Sequence, residues 1–131
     1  MPPSLRVYSE TLPYADLVAG PTRALLARYE LEVVLAVRPW QLGELPGVAR
    51  ALRDTGIALS VWPMLADADG RWANADNAAA FRGFVLETCD VLDAAGCAPR
   101  DVLLDLEPPF AQARSLAALA GEDRRRAREA L

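Results

Sequence analysis

Two carboxylates at the end of an apolar run are the residues of this chain best suited to acid–base chemistry. Asp105 and Glu107 close a segment, Asp-Val-Leu-Leu-Asp-Leu-Glu, that starts at Asp101 and is followed by Pro108 and Pro109. Side chains alternate along a strand, so Asp105 and Glu107 share a face with their Cβ atoms ~6.5 Å apart. At that spacing like charges push the two pKa values apart, so one acid can stay protonated and serve as a general acid.

Further polar and aromatic residues follow the ends of the other apolar runs. The carboxyl ends of parallel strands meet at one edge of a sheet, where α/β proteins place their sites. Aromatic rings stack on the apolar faces of sugars, and acids and arginines bond their hydroxyls, so the set predicts a site for a sugar or polyol. The predicted substrate-binding residues are Tyr8, Glu10, Arg38, Trp40, Trp62, Asp67, Asp69 and Trp72.

The composition excludes several classes of catalytic and metal-binding site. All 14 basic residues are arginine and there is no histidine, which excludes Schiff-base lysines, Ser-His-Asp triads and His-ligated zinc within the chain. The net charge of −4 argues against nucleic acid as a partner. Asp67-Ala-Asp69-Gly70 lacks the spacing of an EF-hand loop and predicts a turn, so no metal and no cofactor are expected.

The cysteines and the N-terminal residues indicate the cellular compartment of the protein. Cys89 and Cys97 lie on or just after one predicted helix, too far apart for a disulfide if the helix is continuous, and we expect both to be small buried hydrophobes. The first residues lack the apolar stretch of a signal peptide, and no apolar run reaches membrane-spanning length. These patterns predict a cytoplasmic protein with no membrane partner.

Four strand-like runs alternate with helical ones. The predicted strands are Leu5–Glu10, Leu31–Arg38, Ile57–Met64 and the Asp101–Glu107 segment. The predicted helices run from Gly20 to Tyr29, from Leu45 to Thr55, from Asp76 to Ala95 with Asn74 or Asp76 as its cap, and from Ala111 to Ala120; after an interruption at Gly121, a charged helical piece spans Glu122–Leu131.

This alternation predicts a single α/β domain over residues 1–131, with four βα units around a parallel sheet. Two architectures fit four units: a small doubly wound sheet, or the first half of a TIM (β/α)8 barrel. The absence of a Gly-rich loop after the first strand favours the half-barrel. Because a half-barrel has unpaired strand edges, we expect a homo-oligomer that buries more than ~1,000 Å².

The ending Asp105-Leu106-Glu107-Pro108 resembles the fourth-strand signature of chitinase-type (β/α)-barrel glycoside hydrolases. The resemblance implies Glu107 as the general acid and Asp105 as its partner, which orients the acetamido group of the substrate. The family pattern has further aspartates upstream, where this chain has Leu103 and Arg100. A less characterised group of barrel proteins is also similar, through Trp62-Pro63-Met64-Leu65 and the run Asp69-Gly70-Arg71-Trp72-Ala73-Asn74.

Three functions are therefore open. The first is a glycoside hydrolase-like barrel segment that uses the carboxylate pair Asp105 and Glu107. The second is a non-catalytic, truncated barrel module that self-associates or binds a small sugar or polyol. The third is a sugar isomerase or epimerase of the barrel type, which the absence of histidine disfavours.

Overall fold

The protein is an α/β domain with an open, all-parallel sheet of three strands, seen in a computed structural model that describes residues 4–129. The strands are β1 (Arg6–Ser9), β2 (Glu32–Val37) and β3 (Leu59–Pro63), in that order across the sheet. The helices are α1 (Tyr14–Leu17), α2 (Gly20–Arg28), α3 (Leu45–Asp54), α4 (Ala78–Ala94) and α5 (Phe110–Glu129). Short 3₁₀ turns span Pro39–Gln41 and Asp67–Asp69.

Helices α1 to α4 all contribute to one apolar core on the same face of the sheet. The alternate residues Val33, Leu35 and Val37 of β2 point into this core, and Leu59 and Val61 of β3 join them. Burial of these branched side chains is the main force that holds strands and helices together. The helical part of the core consists of Tyr14, Leu17, Leu26, Leu45, Val48, Ala49, Leu52, Phe81, Phe84 and Leu92.

The other face of the sheet, here called the open face, carries the intervening residues. Val34 and Ala36 of the middle strand are buried there as well. The aromatic rings of Tyr8 on β1 and Trp62 on β3 meet edge to face, with centroids 5.9 Å apart. Two strands two positions apart are separated by ~9.6 Å, so the two rings lean towards each other across β2, where Tyr8 is paired with Val34 and Trp62 with Ala36. The aromatic pair therefore spans the middle strand on the open face.

The predicted fourth strand is corrected by the structure. Val102 forms a single parallel bridge with Val61, through Val61 N–H to the Asp101 carbonyl and Leu103 N–H to the Val61 carbonyl. The next bond of the ladder would need an N–H at Pro63, which proline lacks, so pairing with β3 stops there. The prediction that 102–106 is a buried strand was wrong, since Leu104 and Leu106 are 48% and 80% exposed.

Beyond Leu103 the chain pairs with a loop instead. The N–H of Ala73 donates to the Asp105 carbonyl at 3.1 Å, and the N–H of Glu107 donates to the Ala73 carbonyl at 3.2 Å. The two acids are therefore fixed by the loop that follows β3.

The helix boundaries differ from the predicted ones in two places. Helix α4 begins at Ala78 with Asn77 at its N-cap, because the side chain of Asn74 already accepts the N–H groups of Asp76 and Asn77 in a preceding turn. Helix α5 continues through Gly121, where a break was predicted. A single glycine costs a helix only about 1 kcal/mol relative to alanine, too little to end a long one. The last two residues of the predicted final piece, Ala130 and Leu131, lie outside the described residues.

Candidate functional site

An aromatic and acidic cluster lies on the open face towards the carboxyl ends of the strands. The indole Nε1–H of Trp62 donates a hydrogen bond to Oδ2 of Asp105 at 3.1 Å, and the ring of Tyr8 stands edge-on to the same indole. Both Trp62 and Asp105 are half-buried, while Tyr8 is 60% exposed. We call Tyr8, Trp62 and Asp105 the indole–carboxylate cluster. It combines two aromatic rings with a held carboxylate that keeps one oxygen free of hydrogen bonds within residues 4–129.

A chain of alternating charges runs along the same edge of the sheet. Arg38, just after β2, lies 3.7 Å from the Glu10 carboxylate and 3.8 Å from that of Asp67. Asp67 in turn accepts two hydrogen bonds from the Arg71 guanidinium, at 2.7 and 2.9 Å. We call Glu10, Arg38, Asp67 and Arg71 the ion-pair chain. The Arg71 hydrogen bonds, with further attraction from Arg71 and Arg38, lower the pKa of Asp67 below its ordinary range.

Aromatic side chains cover Arg38 and Arg71, the two arginines of the ion-pair chain. The Arg38 guanidinium lies 5.7 Å from the Trp40 ring centre, and that of Arg71 lies 5.2 Å from Trp72 and 3.8 Å from Phe110. Trp72 and Phe110 also contact each other edge to face at 5.8 Å. Each such stack is worth ~0.5–1 kcal/mol at an exposed site. The stacks hold both guanidinium groups in place beside their carboxylates.

The loop between β3 and α4 owes its shape to backbone geometry and two asparagines. Gly70 has φ +94°, and a Cβ there would lie 2.8 Å from Nδ2 of Asn77. That Nδ2 group donates to the backbone carbonyls of Asp69 and Trp72, while the Asn74 N–H donates to Oδ1 of Asn77. The prediction that this acidic stretch forms a turn is confirmed by the 3₁₀ turn at Asp67–Asp69.

The structure thus groups eight of the ten predicted site residues. Tyr8, Trp62 and Asp105 form one cluster, and Glu10, Arg38 and Asp67 form the other, with Trp40 and Trp72 stacked on its arginines. Glu107 and Asp69 are exposed, and within residues 4–129 their side chains join neither group by a hydrogen bond or an ion pair. The roles proposed for all ten residues stay predictions.

Glu107 borders a different feature, an apolar groove of about 760 Å³. The groove lies between the start of α4 and the segment that leads into α5, with Phe81, Val85, Leu86, Leu104 and Leu106 among its lining residues. Side chains alternate in direction along this extended segment, so those of Leu104 and Leu106 point away from the open face that Asp105 occupies. Glu107, at the end of the segment, lines the rim of this apolar groove, while Asp105 faces the indole of Trp62.

Sequence reasoning missed two groups of contacts. Phe110 was not singled out, although an aromatic residue directly after two prolines at a helix start is a recognisable signal. The second group is at the amino end of the sheet, where buried Glu32 pairs with Arg6 at 3.1 Å and with Arg100, and Arg6 also bonds Asp101. A glutamate at the start of an apolar strand was the available signal for this network.

The two cysteines are free thiols, as predicted. Cys97 is buried in the core, and Cys89 is half-buried on α4. Burial, together with the nearby acids Asp93 and Asp90, raises the pKa of the Cys89 thiol. A thiol with a raised pKa carries little thiolate at neutral pH and is a poor nucleophile or metal ligand.

Comparisons with family models, with curated proteins and with solved structures find no match for this chain. Within residues 4–129, no three His, Cys, Asp or Glu side chains converge in a way that could hold a metal ion. None of the helices described there combines the length and the apolar character needed to cross a membrane.

Proposed function

We propose that this chain is one half of a carbohydrate-active (β/α) barrel and that its carboxyl edge binds a small sugar or polyol. The observation that carries the proposal is the indole–carboxylate cluster. Trp62 holds Asp105 by a 3.1 Å hydrogen bond on the face of the sheet that the core helices leave open. An aromatic ring beside an oriented carboxylate suits a polyhydroxylated ligand, because the ring takes a C–H face and the carboxylate accepts hydroxyl protons.

The half-barrel form rests on the topology. Consecutive parallel strands in the order β1-β2-β3, with the packed helices on one face, suit a barrel wall better than a doubly wound sheet with helices on both faces. The inner wall of such a barrel corresponds to the open face. The ion-pair network of Glu32, Arg6, Arg100 and Asp101 then belongs to the amino end, the end where barrel proteins place stability rather than chemistry.

Within this proposal the two acids have different roles. Asp105, bonded to the indole, orients the ligand, and Glu107, exposed at the end of the segment, is the candidate general acid of glycoside hydrolysis. Glu107 lacks a surrounding wall in the single chain, and a general acid works best where water is excluded. Ligand binding is therefore expected of this chain by itself, and hydrolysis only where further strands complete the wall.

The binding claim is tested by titrating the protein with glucose, N-acetylglucosamine, its β-1,4-linked dimer and glycerol while tryptophan fluorescence and backbone NMR shifts are recorded. We expect saturable shifts at Tyr8, Trp62 and Asp105. Asp105→Asn should weaken binding about 10-fold, since a charged hydrogen bond to a ligand is worth about 1.5–3 kcal/mol. The control is Tyr29→Phe, an exposed ring just before β2 at the opposite end of the sheet, which should bind normally. Absence of saturable shifts with all four compounds would overturn the proposal.

A further inference from the structure

Two apolar surfaces of this chain are left without a cover. The first is the groove beside α4, where Leu86, Leu104 and Leu106 are 49%, 48% and 80% exposed. The second is on helix α5, whose leucines Leu116 and Leu119 are 54% and 56% exposed. These leucines are three residues apart and therefore lie side by side on one face of the helix. Exposed apolar patches of this kind mark interaction surfaces in soluble proteins.

The amount of exposed surface also exceeds that of a compact monomer. A protein of 14.2 kDa is expected to expose about 6,800 Å², whereas this chain exposes 8260 Å². The excess is roughly 1,500 Å² per chain, and stable complexes bury about 1,200–2,000 Å² in total over both partners. The excess is therefore large enough for an extensive interface.

Helix α5 is held so that it leaves its own groove. Pro108 and Pro109 fix the backbone at the end of the groove, and Phe110 starts the helix against Trp72 and under the Arg71 guanidinium, 3.8 Å from its ring centre. From Arg114 to Asp123 every residue of the helix is exposed. To fold back onto its own groove, the helix would have to reverse direction at the prolines and give up the Phe110 contacts.

We infer that the groove of one chain binds the face of α5 that carries Leu116 and Leu119 in a second copy, and that two copies exchange these helices reciprocally. A reciprocal exchange has two-fold symmetry and closes on itself, which makes a dimer rather than a fibre. Charges of both signs surround the apolar centre of each surface, since the groove is bordered by Asp76, Arg82 and Glu107 and the leucine face of α5 also carries the exposed Asp123 and Arg126. The inference does not depend on sugar binding by the indole–carboxylate cluster, although the interface would adjoin Glu107 at the rim of the groove.

The exchange is tested by light scattering after size exclusion at micromolar concentration. The wild-type chain should have the mass of two copies. Leu106→Glu in the groove and Leu119→Arg on α5 should each reduce the mass to one copy, with unchanged far-ultraviolet circular dichroism because both side chains are exposed. The matched control is Ala118→Arg, which adds the same charge to α5 on a face at least 100° away from both leucines and should leave the dimer intact.

A mixing experiment separates helix exchange from other modes of pairing. Equal amounts of Leu106→Glu and Leu119→Arg chains retain one native groove–helix contact and bring the new glutamate opposite the new arginine in the other. We expect the mixture to form dimers although each variant alone is monomeric. A monomeric wild-type chain would show that α5 or another segment covers the groove in some other way, and would overturn the inference. So would dissociation by Ala118→Arg or a mixture that stays monomeric.

Discussion

At the residue scale, the side chain of Tyr14 replaces a hydrogen bond that the short strand β1 cannot provide. Strand β1 ends at Ser9, whose partner is Leu35, so Ala36 lies beyond the part of β2 that pairs with β1. The hydroxyl of Tyr14 in α1 donates to the Ala36 carbonyl at 2.8 Å. Burial, followed by the nearby Glu44 carboxylate, raises the pKa of Tyr14 above its ordinary value. The tyrosine is therefore a structural donor that stays protonated at neutral pH.

Tyr14→Phe should lower the free energy of unfolding by about 1–3 kcal/mol, because it keeps the buried ring and removes the donor to the Ala36 carbonyl. Since the folded-state pKa is raised, the contribution of the tyrosine is complete below its unfolded value near 10 and is lost as the pH rises through the folded value. Urea unfolding at neutral pH and at pH values above 10 measures both effects. Equal stability of the two proteins at neutral pH would contradict the structural role.

At the element scale, the loop from Asp67 to Asn77 has more influence than its length suggests. It aligns Asp67 with Arg38 and Arg71, pairs with the 105–107 segment through Ala73, and presents Trp72 to the first residue of α5. One turn thus connects the ion-pair chain, the two acids and the direction of α5. Substitutions in this loop should therefore perturb the ion-pair chain, the two acids and the direction of α5.

The ion pair between Asp67 and Arg71 in this loop should be lost at low pH, when Asp67 becomes protonated. Its pKa is lowered in the folded protein, so the ion pair with Arg71 contributes above the ordinary aspartate value near 4 and is lost as the pH falls through the lower folded value. Arg71→Gln removes the main cause and should move the titration of Asp67 up towards that ordinary value. Carboxyl-carbon NMR shifts followed over pH measure it directly. An unchanged Asp67 titration in the variant would show that Arg71 does not set the pKa.

At the scale of the whole molecule, the chain has a well-packed core on one side and little cover elsewhere. Val33, Leu35, Val37 and Val61 are fully buried, whereas helix α5 and the groove beside α4 are open. Helix exchange would cover the groove and the leucines of α5 in one interface. It would also leave the open face with its indole–carboxylate cluster accessible to a ligand.

If the helices are exchanged, folding and assembly are linked and the thermal midpoint must rise with protein concentration. A tenfold increase in concentration should add up to about 1.4 kcal/mol to the stability of a dimer that unfolds in one step. Calorimetry at two concentrations tests this for the wild-type chain, and Leu106→Glu provides the comparison because its midpoint should not depend on concentration. A wild-type midpoint that is equally independent of concentration would argue against coupled assembly.

The sequence by itself determined the local structure and the side of the sheet on which its polar residues gather. Apolar runs ended by proline and helical runs ended by glycine predicted four parallel strands and the helices between them, and three of these strands form, because such signals depend on neighbours along the chain. The same signals predicted Trp62 and Asp105 at one edge of the sheet, and the structure joins their side chains there by a hydrogen bond.

Only the tertiary structure decided how the fourth predicted strand pairs and which residues the charged side chains contact. The pairing register sets Pro63 opposite the segment, and its missing N–H sends residues 105–107 to Ala73 in the loop. Within residues 4–129, Arg38 likewise pairs with Glu10 and Asp67, which are far from it in sequence, and not with the two acids that close the fourth run. Such choices depend on register and on the path of a loop between distant parts of the chain, which no local pattern encodes.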